Sequence, residues 1–415
     1  MKNRKPVEAA VRPIAPPVPA MTPATMIAAA AALRGELRKR QSETERAGRL
    51  SDDMNQKFVE AGFYRAIQPR LFGGYEFSVP DFMRVMMEVS RGCAESGWVA
   101  SLTAGHAHLF ASFPAEGQIE VYGADGEFRA PGVPPPSGRA VPVPGGYRIK
   151  GAWDYVSGCD IATHFIGGAL VVDEGGKPQG SIVVTFDRKD YSIVDNWDMA
   201  GMQGTGSKRV VIEELFVPER RTIRWTNAAG ESAIERPGRA IHANPMYFGR
   251  TVPFLVSEST AVVVGAAYGA LDVYGETIRT KKAIFPPFPY RYELAEIQHN
   301  YGRCQTLIDT AYFAALRIGE QYMELAQSEA EGGAAFDAAW ERRMHMALQQ
   351  CIHLCYDAVD IMVRTAGTSS LRRDAMLGRY WRNIAAIRTH LAHQSDSTAI
   401  NFGRFHFDLP VIGRM

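Results

Sequence analysis

Two histidines near the end of this sequence, His390 and His393, stand three residues apart. On a helix that spacing puts both rings on one face. An imidazole titrates at about pH 6.5, so it can take a proton from an acidic hydroxyl at neutral pH. The plain alternative is a pair of surface or subunit-contact histidines. His106 and His108 stand two apart, and on a helix such rings diverge instead of making a metal pair. Each could serve a pocket or fill the core. Ser157 follows a β-like run in Trp153-Asp154-Tyr155-Val156-Ser157-Gly158, where Ser-Gly also reads as a turn. Thr205, Gly206 and Ser207 could aim backbone N–H groups and hydroxyls at one ligand, as anion nests do. Arg279 ends a long helical pattern, where a cation commonly meets solvent. Trp153 and Trp197 could lie on a flat ring or fill a β core.

Other chemistries find no footing. No Gly-x-Ser-x-Gly and no His-Glu-x-x-His occurs, and no Gly-x-Gly-x-x-Gly follows a strand. Gly201 to Lys208 resembles a phosphate loop only faintly, because Gly-Lys-Ser/Thr does not close it. Cys351 and Cys355 share a helix face and read as small buried hydrophobes. No metal is expected.

The elements that must position these residues come in three blocks. The chain has 415 residues, room for two or three domains or one composite fold. Its 46 Lys+Arg against 45 Asp+Glu give a net charge of +1, so no global field draws in nucleic acid or an anionic membrane. No apolar run approaching a bilayer span is evident in the sequence, and the N-terminus lacks the apolar stretch of a secretory signal. Five cysteines suggest no disulfide framework, and a cytoplasmic location is expected. Residues 1–22, rich in Pro and charge, read as a flexible tail. Residues 23–126 read as helical, with segments at 26–38, 54–61, 80–92 and 96–114. From 127 to 230, short β-branched and aromatic runs separated by Gly and Asp turns predict an antiparallel β domain, with the Pro131–Pro144 stretch as loop. From 231 to 415 long helical segments return, at 257–280, 292–328, 336–366 and 375–393, and predict a bundle. The fold class is α+β, without the βαβ alternation of a dinucleotide-binding sheet.

Several phrases carry a resemblance that spans nearly everything but the tail. They are Gln68-Pro69-Arg70-Leu71-Phe72-Gly73-Gly74, Gly92-Cys93-Ala94-Glu95-Ser96-Gly97-Trp98-Val99, Trp153 to Asp160, Asn196-Trp197, Gly201 to Ser207, Ala366 to Leu371, and Trp381-Arg382-Asn383 followed by Arg388-Thr389-His390. In order and spacing the chain resembles the acyl-CoA dehydrogenase fold, with an N-terminal helical domain, a middle β domain and a C-terminal four-helix bundle. It looks most like the oxygenase components of two-component flavin-dependent monooxygenases, whose relatives act on 4-hydroxyphenylacetate, steroid-derived phenols and dibenzothiophene. Where the dehydrogenases carry a glutamate as base, Ile384 to Leu391 holds no carboxylate and offers His390.

That resemblance implies reduced FMN (FMNH2) or FADH2 and O2 as cofactors and a C4a-hydroperoxyflavin as the hydroxylating species. It also implies a separate NAD(P)H:flavin reductase, a small aromatic substrate and a homotetramer. Ser157 would face flavin N5, with Trp153, Trp197, Thr205, Gly206 and Ser207 around the flavin. Arg279 would meet its phosphate, often across a subunit boundary. Trp98, His106 and His108 would line the substrate pocket, and His390 or His393 would be the base. Oxygenation at sulfur or nitrogen, an acyl-CoA dehydrogenase-like FAD enzyme and an idle helical scaffold stay open. Two departures bear on substrate: Gln203 replaces a common Arg, and the apolar Ala130–Pro136 stretch replaces a Ser-containing loop.

Overall fold

A computed structural model describes residues 13–228, 231–410 and 412. Of the expected tail, residues 1–12 lie outside the described residues. From residue 13 the chain is held: Ile14 N–H donates to the Leu71 carbonyl at 3.1 Å, and Val18 N–H donates to the Tyr75 hydroxyl at 3.2 Å.

Five helices follow: α1 (Pro23–Ala47), α2 (Asp52–Glu60), α3 (Val79–Gly92), α4 (Ala94–Phe110) and α5 (Ala115–Tyr122). Thr22 and Thr25 close a capping box on α1, and Gly48 stops it at φ +61°. In α4 every residue except Leu102 is buried. Small and apolar residues on all sides make it the central helix against which both other blocks settle.

The middle block is one eight-stranded sheet, in the order β5-β6-β2-β1-β3-β4-β7-β8. Its strands are β1 (Gly132–Val143), β2 (Gly146–Val156), β3 (His164–Val172), β4 (Pro178–Asp187), β5 (Ser192–Val194), β6 (Lys208–Pro218), β7 (Thr222–Ala228) and β8 (Glu231–Ile234). Two expectations are corrected here. The Pro-rich stretch is strand β1, not loop. Its prolines at 134–136 coincide with register shifts against β3, and β2 pairs with β1 only from Gly138 onward. Pro lacks an N–H but tolerates extended backbone, so it is accommodated where the ladder is already broken. Nor is the sheet wholly antiparallel. After β2 the chain turns at 157–163 and lays β3 on the other edge of β1, which makes that pair parallel.

The last block holds α6 (Thr251–Thr280), α7 (Ala295–Ala330), α8 (Ala338–Ala366), α9 (Met376–Arg388) and α10 (Ser395–His406). Contrary to the sequence reading, α6 is long and apolar enough to cross a membrane, but 89% of its most apolar stretch is buried inside the protein. It is a core helix against α3. A Cβ on Gly265 would sit 2.2 Å from the Met87 carbonyl oxygen, so the two backbones touch. Gly265→Ala should therefore destabilise by about 1–3 kcal/mol through overpacking. An unchanged urea midpoint would contradict that contact.

Helix α9 buries Leu377, Tyr380, Asn383, Ile384 and Ile387, a 3–4 spacing facing the core. The expected helix through His393 instead stops at Arg388. A short 3-10 turn, Leu391–His393, follows with His390 as its N-cap.

Candidate active site

Trp98 on α4, Ser157 after β2, the Gln203–Ser207 turn before β6 and the histidines after α9 converge, although the sequence separates them by up to three hundred residues. A chain of hydrogen bonds runs through them. Trp98 Nε1–H donates to Ser157 Oγ at 3.0 Å. Ser157 Oγ lies 2.7 Å from Ser207 Oγ, which lies 2.6 Å from Thr205 Oγ1. Thr205 Oγ1 donates to the Met202 carbonyl at 2.7 Å.

Both ends of this chain fix its direction. An indole N–H only donates, and a carbonyl only accepts. Thr205 spends its one hydroxyl proton on Met202, so Ser207 must donate to Thr205 and Ser157 to Ser207. Ser157 thus accepts from Trp98, donates to Ser207, and keeps one free lone pair. It can only accept from a further partner.

The turn that carries Thr205 and Ser207 is clamped from several sides. Met202 N–H donates to Asn383 Oδ1 of α9 at 2.7 Å. Arg382 Nε–H donates to the Ala200 carbonyl at 3.1 Å. Trp197 Nε1–H donates to the Met202 carbonyl at 3.1 Å. Gln203 accepts from Met199 N–H at 2.7 Å and donates to the Trp197 carbonyl at 3.0 Å, so the residue that departs from the common Arg staples its own loop. Gly206 takes φ +54° with the Gly48 carbonyl oxygen 2.8 Å from where a Cβ would be, which only glycine allows.

The late imidazoles stand across from Trp98. The ring of His390 packs edge-on to Trp98 at 5.7 Å between centroids, and His393 lies 5.4 Å beyond it. His390 is exposed, while His393 is buried. They adjoin through the turn after α9, not along a helix face. Ala392 N–H donates to His390 Nδ1 at 3.2 Å. A neutral His390 therefore carries its proton on Nε2 and is a donor there. Both ring nitrogens of His393 are buried without a partner, which leaves it the freer acceptor. Protein atoms packed around part of the His390 ring lower its pKa, although its other side meets solvent. Burial first, then the neighbouring histidines 390, 345 and 353, holds His393 well below the usual imidazole value. Both are neutral at pH 7.

Other expected residues stand elsewhere. Trp153 does not reach the cluster. It is fully buried in the sheet core and donates from Nε1 to the Gly168 carbonyl at 2.8 Å. His108 is turned about the α4 axis from His106 and stacks on Phe254 at 4.1 Å, with Tyr322 and the Met246 carbonyl on its Nε2. It is packed into the core. His106 lies two turns beyond Trp98, its Nδ1 donating to the Ala130 carbonyl at 2.7 Å. Its Nε2 is 3.8 Å from buried Glu258 of α6. Burial lowers His106 to about 4 and raises Glu258 well above the carboxylate range, so both are neutral. Arg279 is exposed in the last turn of α6.

The sequence reading missed Tyr155. It sits two residues before Ser157 at φ +64°, 67% exposed, with its ring edge-on to Trp197 at 5.8 Å. The register of β2 against β6 slips between Trp153 and Val156, and this bulge swings Tyr155 outward beside the serine.

The helical block, the β block and the bundle thus meet at one cluster, with the hydroxyl chain on one side of Trp98 and the imidazoles on the other. The family models "Acyl-CoA dehydrogenase, N-terminal domain" and "Acyl-CoA dehydrogenase, C-terminal domain" match residues 25–122 and 258–395. The oxygenase subunit HsaA of a flavin-dependent monooxygenase from Rhodococcus jostii (strain RHA1) is 30% identical over 92% of this chain and 98% of its own length. The oxygenase component of an FADH2-dependent resorcinol hydroxylase from a Rhizobium species is 27% identical over 87% of this chain and 89% of its own. The crystal structure of 3-HSA hydroxylase from Rhodococcus sp. RHA1 superposes with a TM-score of 0.84 at 27% identity, covering 94% of this chain and 98% of that one. The chain belongs to the flavin-dependent monooxygenase oxygenase subunits built on the acyl-CoA dehydrogenase fold.

Proposed function

We propose that this oxygenase component takes reduced flavin, FADH2 or FMNH2, from a separate NAD(P)H:flavin reductase and uses O2 to hydroxylate a phenolic aromatic ring. Bound reduced flavin supplies the activation of oxygen. One observation carries the reading: the directed chain from Trp98 to Met202 leaves Ser157 with a single unused lone pair, the acceptor that an N–H such as flavin N5–H requires. Tyr155 and Trp197 supply aromatic surface beside it, and the Thr205–Ser207 turn supplies polar edge contacts. His390 Nε2–H would hold the substrate hydroxyl oxygen, and His393 would take its proton. A deprotonated phenol is the stronger nucleophile. His106 would close the far end of the pocket under the apolar start of β1.

The exposed apolar side chains of Ile284, Phe285 and Phe288 after α6, and of Phe407 and Leu409 near the chain's end, support assembly into a homotetramer. Arg279 would then serve the flavin of a neighbouring copy. Five unpaired, buried cysteines support a cytoplasmic location.

The test supplies purified protein with reduced flavin from an unrelated reductase, isotopic O2 and a panel of phenols, thioethers and amines. A catechol-type product carrying one labelled oxygen is expected. Sulfoxide or hydroxylamine as the sole product would move the reaction to sulfur or nitrogen, and absence of reduced-flavin binding would end the proposal. Ser157→Ala should raise the fraction of O2 released as hydrogen peroxide with flavin affinity within about tenfold, because one neutral hydrogen bond is worth about 0.5–1.5 kcal/mol. An unchanged peroxide yield would take Ser157 away from the flavin.

A further inference from the structure

The Gln203–Ser207 turn rests on a carboxyl that the proposed reaction does not use. Glu95, in the first turn of α4, is fully buried. Its Oε1 accepts from Gly204 N–H at 2.8 Å, and its Oε2 is buried without a partner. The turn is pressed onto it: a Cβ on Gly204 would lie 3.0 Å from Oε2 and 2.6 Å from Thr44 Cγ2. The charged and titratable groups facing this carboxyl are Glu45 of α1, Arg379 and Arg382 of α9, and the neighbouring Cys93 thiol. Both arginines bind Glu45, two guanidiniums on one carboxylate, and neither hydrogen-bonds Glu95 itself.

We propose that Glu95 is a positioning residue: as a neutral acid it seats the flavin-facing turn through Gly204 N–H, and when it ionises it loosens that seat, so flavin retention falls as pH rises. The inference rests on the flavin reading above. The energetics favour the neutral form. Ionisation would strengthen one N–H···O bond and gain from the α4 N-terminus and from the nearby guanidiniums. Against this stands the burial of a carboxylate that no cation bonds directly. Burial accordingly pushes Glu95 up to about 7, with Glu45 adding to it and Gly204 N–H and the arginines opposing. Water admitted to the charge would enter at Gly204, between the Met202 clamp and the Thr205–Ser207 end of the hydroxyl chain.

The test compares the wild-type protein with Glu95→Gln, which keeps the acceptor but cannot ionise, and Glu95→Ala, which loses the acceptor. Affinity for oxidised FAD is measured by fluorescence quenching from about pH 6 to about pH 8.5, a range in which its ring and diphosphate do not titrate. Wild-type affinity should fall about tenfold, one proton being released. Glu95→Gln should stay tight and flat, and Glu95→Ala should be weak throughout. In parallel, hydrogen exchange of residues 199–207 is followed without flavin. Protection should fall above neutrality in the wild type and not in Glu95→Gln. A Glu95→Gln protein that keeps the wild-type pH dependence in either measurement overturns the proposal, as does a Glu95→Ala protein that binds and exchanges like the wild type. A wild type that binds neither oxidised FAD nor, without oxygen, reduced flavin at any pH defeats the flavin reading instead, and the exchange arm still judges Glu95.

Discussion

His393→Ala lowers product formation at neutral pH by about 10²–10⁴-fold, the range general-base assistance provides, while flavin affinity changes little. The shape of the pH profile separates a lost base from a damaged pocket. With His393 present, the rate should plateau above its lowered imidazole pKa, because the ring is then free to accept. Without it, the rate should climb with pH toward the phenol's own ionisation near about pH 10, where the substrate needs no base. His390 is expected to differ. Ala392 N–H occupies its Nδ1, which leaves a donor on Nε2. His390→Gln, retaining a donor, should keep a substantial share of the rate, and His390→Ala should mainly raise KM for the phenol. If His393→Ala retained the wild-type plateau while His390→Ala acquired the climbing profile, the two roles would be exchanged. If neither altered the profile, the imidazoles would not be where the phenol loses its proton.

How much of this was legible beforehand divides along a physical line. The three blocks, most helices and the residues that converge on Trp98 and Ser157 follow from signals carried by short stretches: 3–4 spacing, turn punctuation, and phrases such as those around Trp98 and Ser157. Which way a side chain faces is decided by neighbours hundreds of residues away, and there the sequence was mute. Trp153 and Tyr155 share a face by strand alternation, yet the bulge at β2 keeps Trp153 inward and turns Tyr155 out. His106 and His108 look alike on paper, but Phe254 and Tyr322 claim His108 for the core. The spacing of His390 and His393 suggested a helix face. The chain breaks at Arg388, and their adjacency comes from a capped turn that decides which ring has a free lone pair. Glu95 lay in a quoted phrase, but an acid in a helix's first turn is ordinary until Gly204 is seen above it.

Stability should peak near neutral pH and fall off on both sides, the acid side more steeply. Burial holds His106, His164 and His242 at about 4 and His108 at about 3. It also lowers His345, His353, His390 and His393. Unfolded, each would bind a proton at about pH 6.5. A histidine whose folded pKa is depressed costs nothing above its unfolded value and destabilises as pH falls below it, because the unfolded chain takes up the proton first. Four buried acids act the other way. Glu95, at about 7, and Glu258, Glu76 and Glu341 are all raised by burial, so they favour the folded chain at low pH and oppose it as pH climbs past the unfolded carboxylate value. Between about pH 4.5 and 6.5 the histidines outnumber the acids, and the unfolded state binds more protons. Each net proton is worth about 1.4 kcal/mol per pH unit, so a few of them remove several kcal/mol over that interval. Above about pH 6.5 the histidines fall silent, and the raised acids, Glu95 among them, act with the opposite sign. Urea midpoints taken across this range should therefore rise steeply from acid to neutral and decline gently beyond. Replacing core His108 by Gln should blunt the acid limb by up to one proton's slope, whereas Glu258→Gln should flatten the alkaline one. A midpoint that stayed level down to about pH 4.5 would mean that these imidazoles are hydrated in the folded protein, contrary to the burial on which both His393's role as acceptor and the neutral His106–Glu258 pair depend.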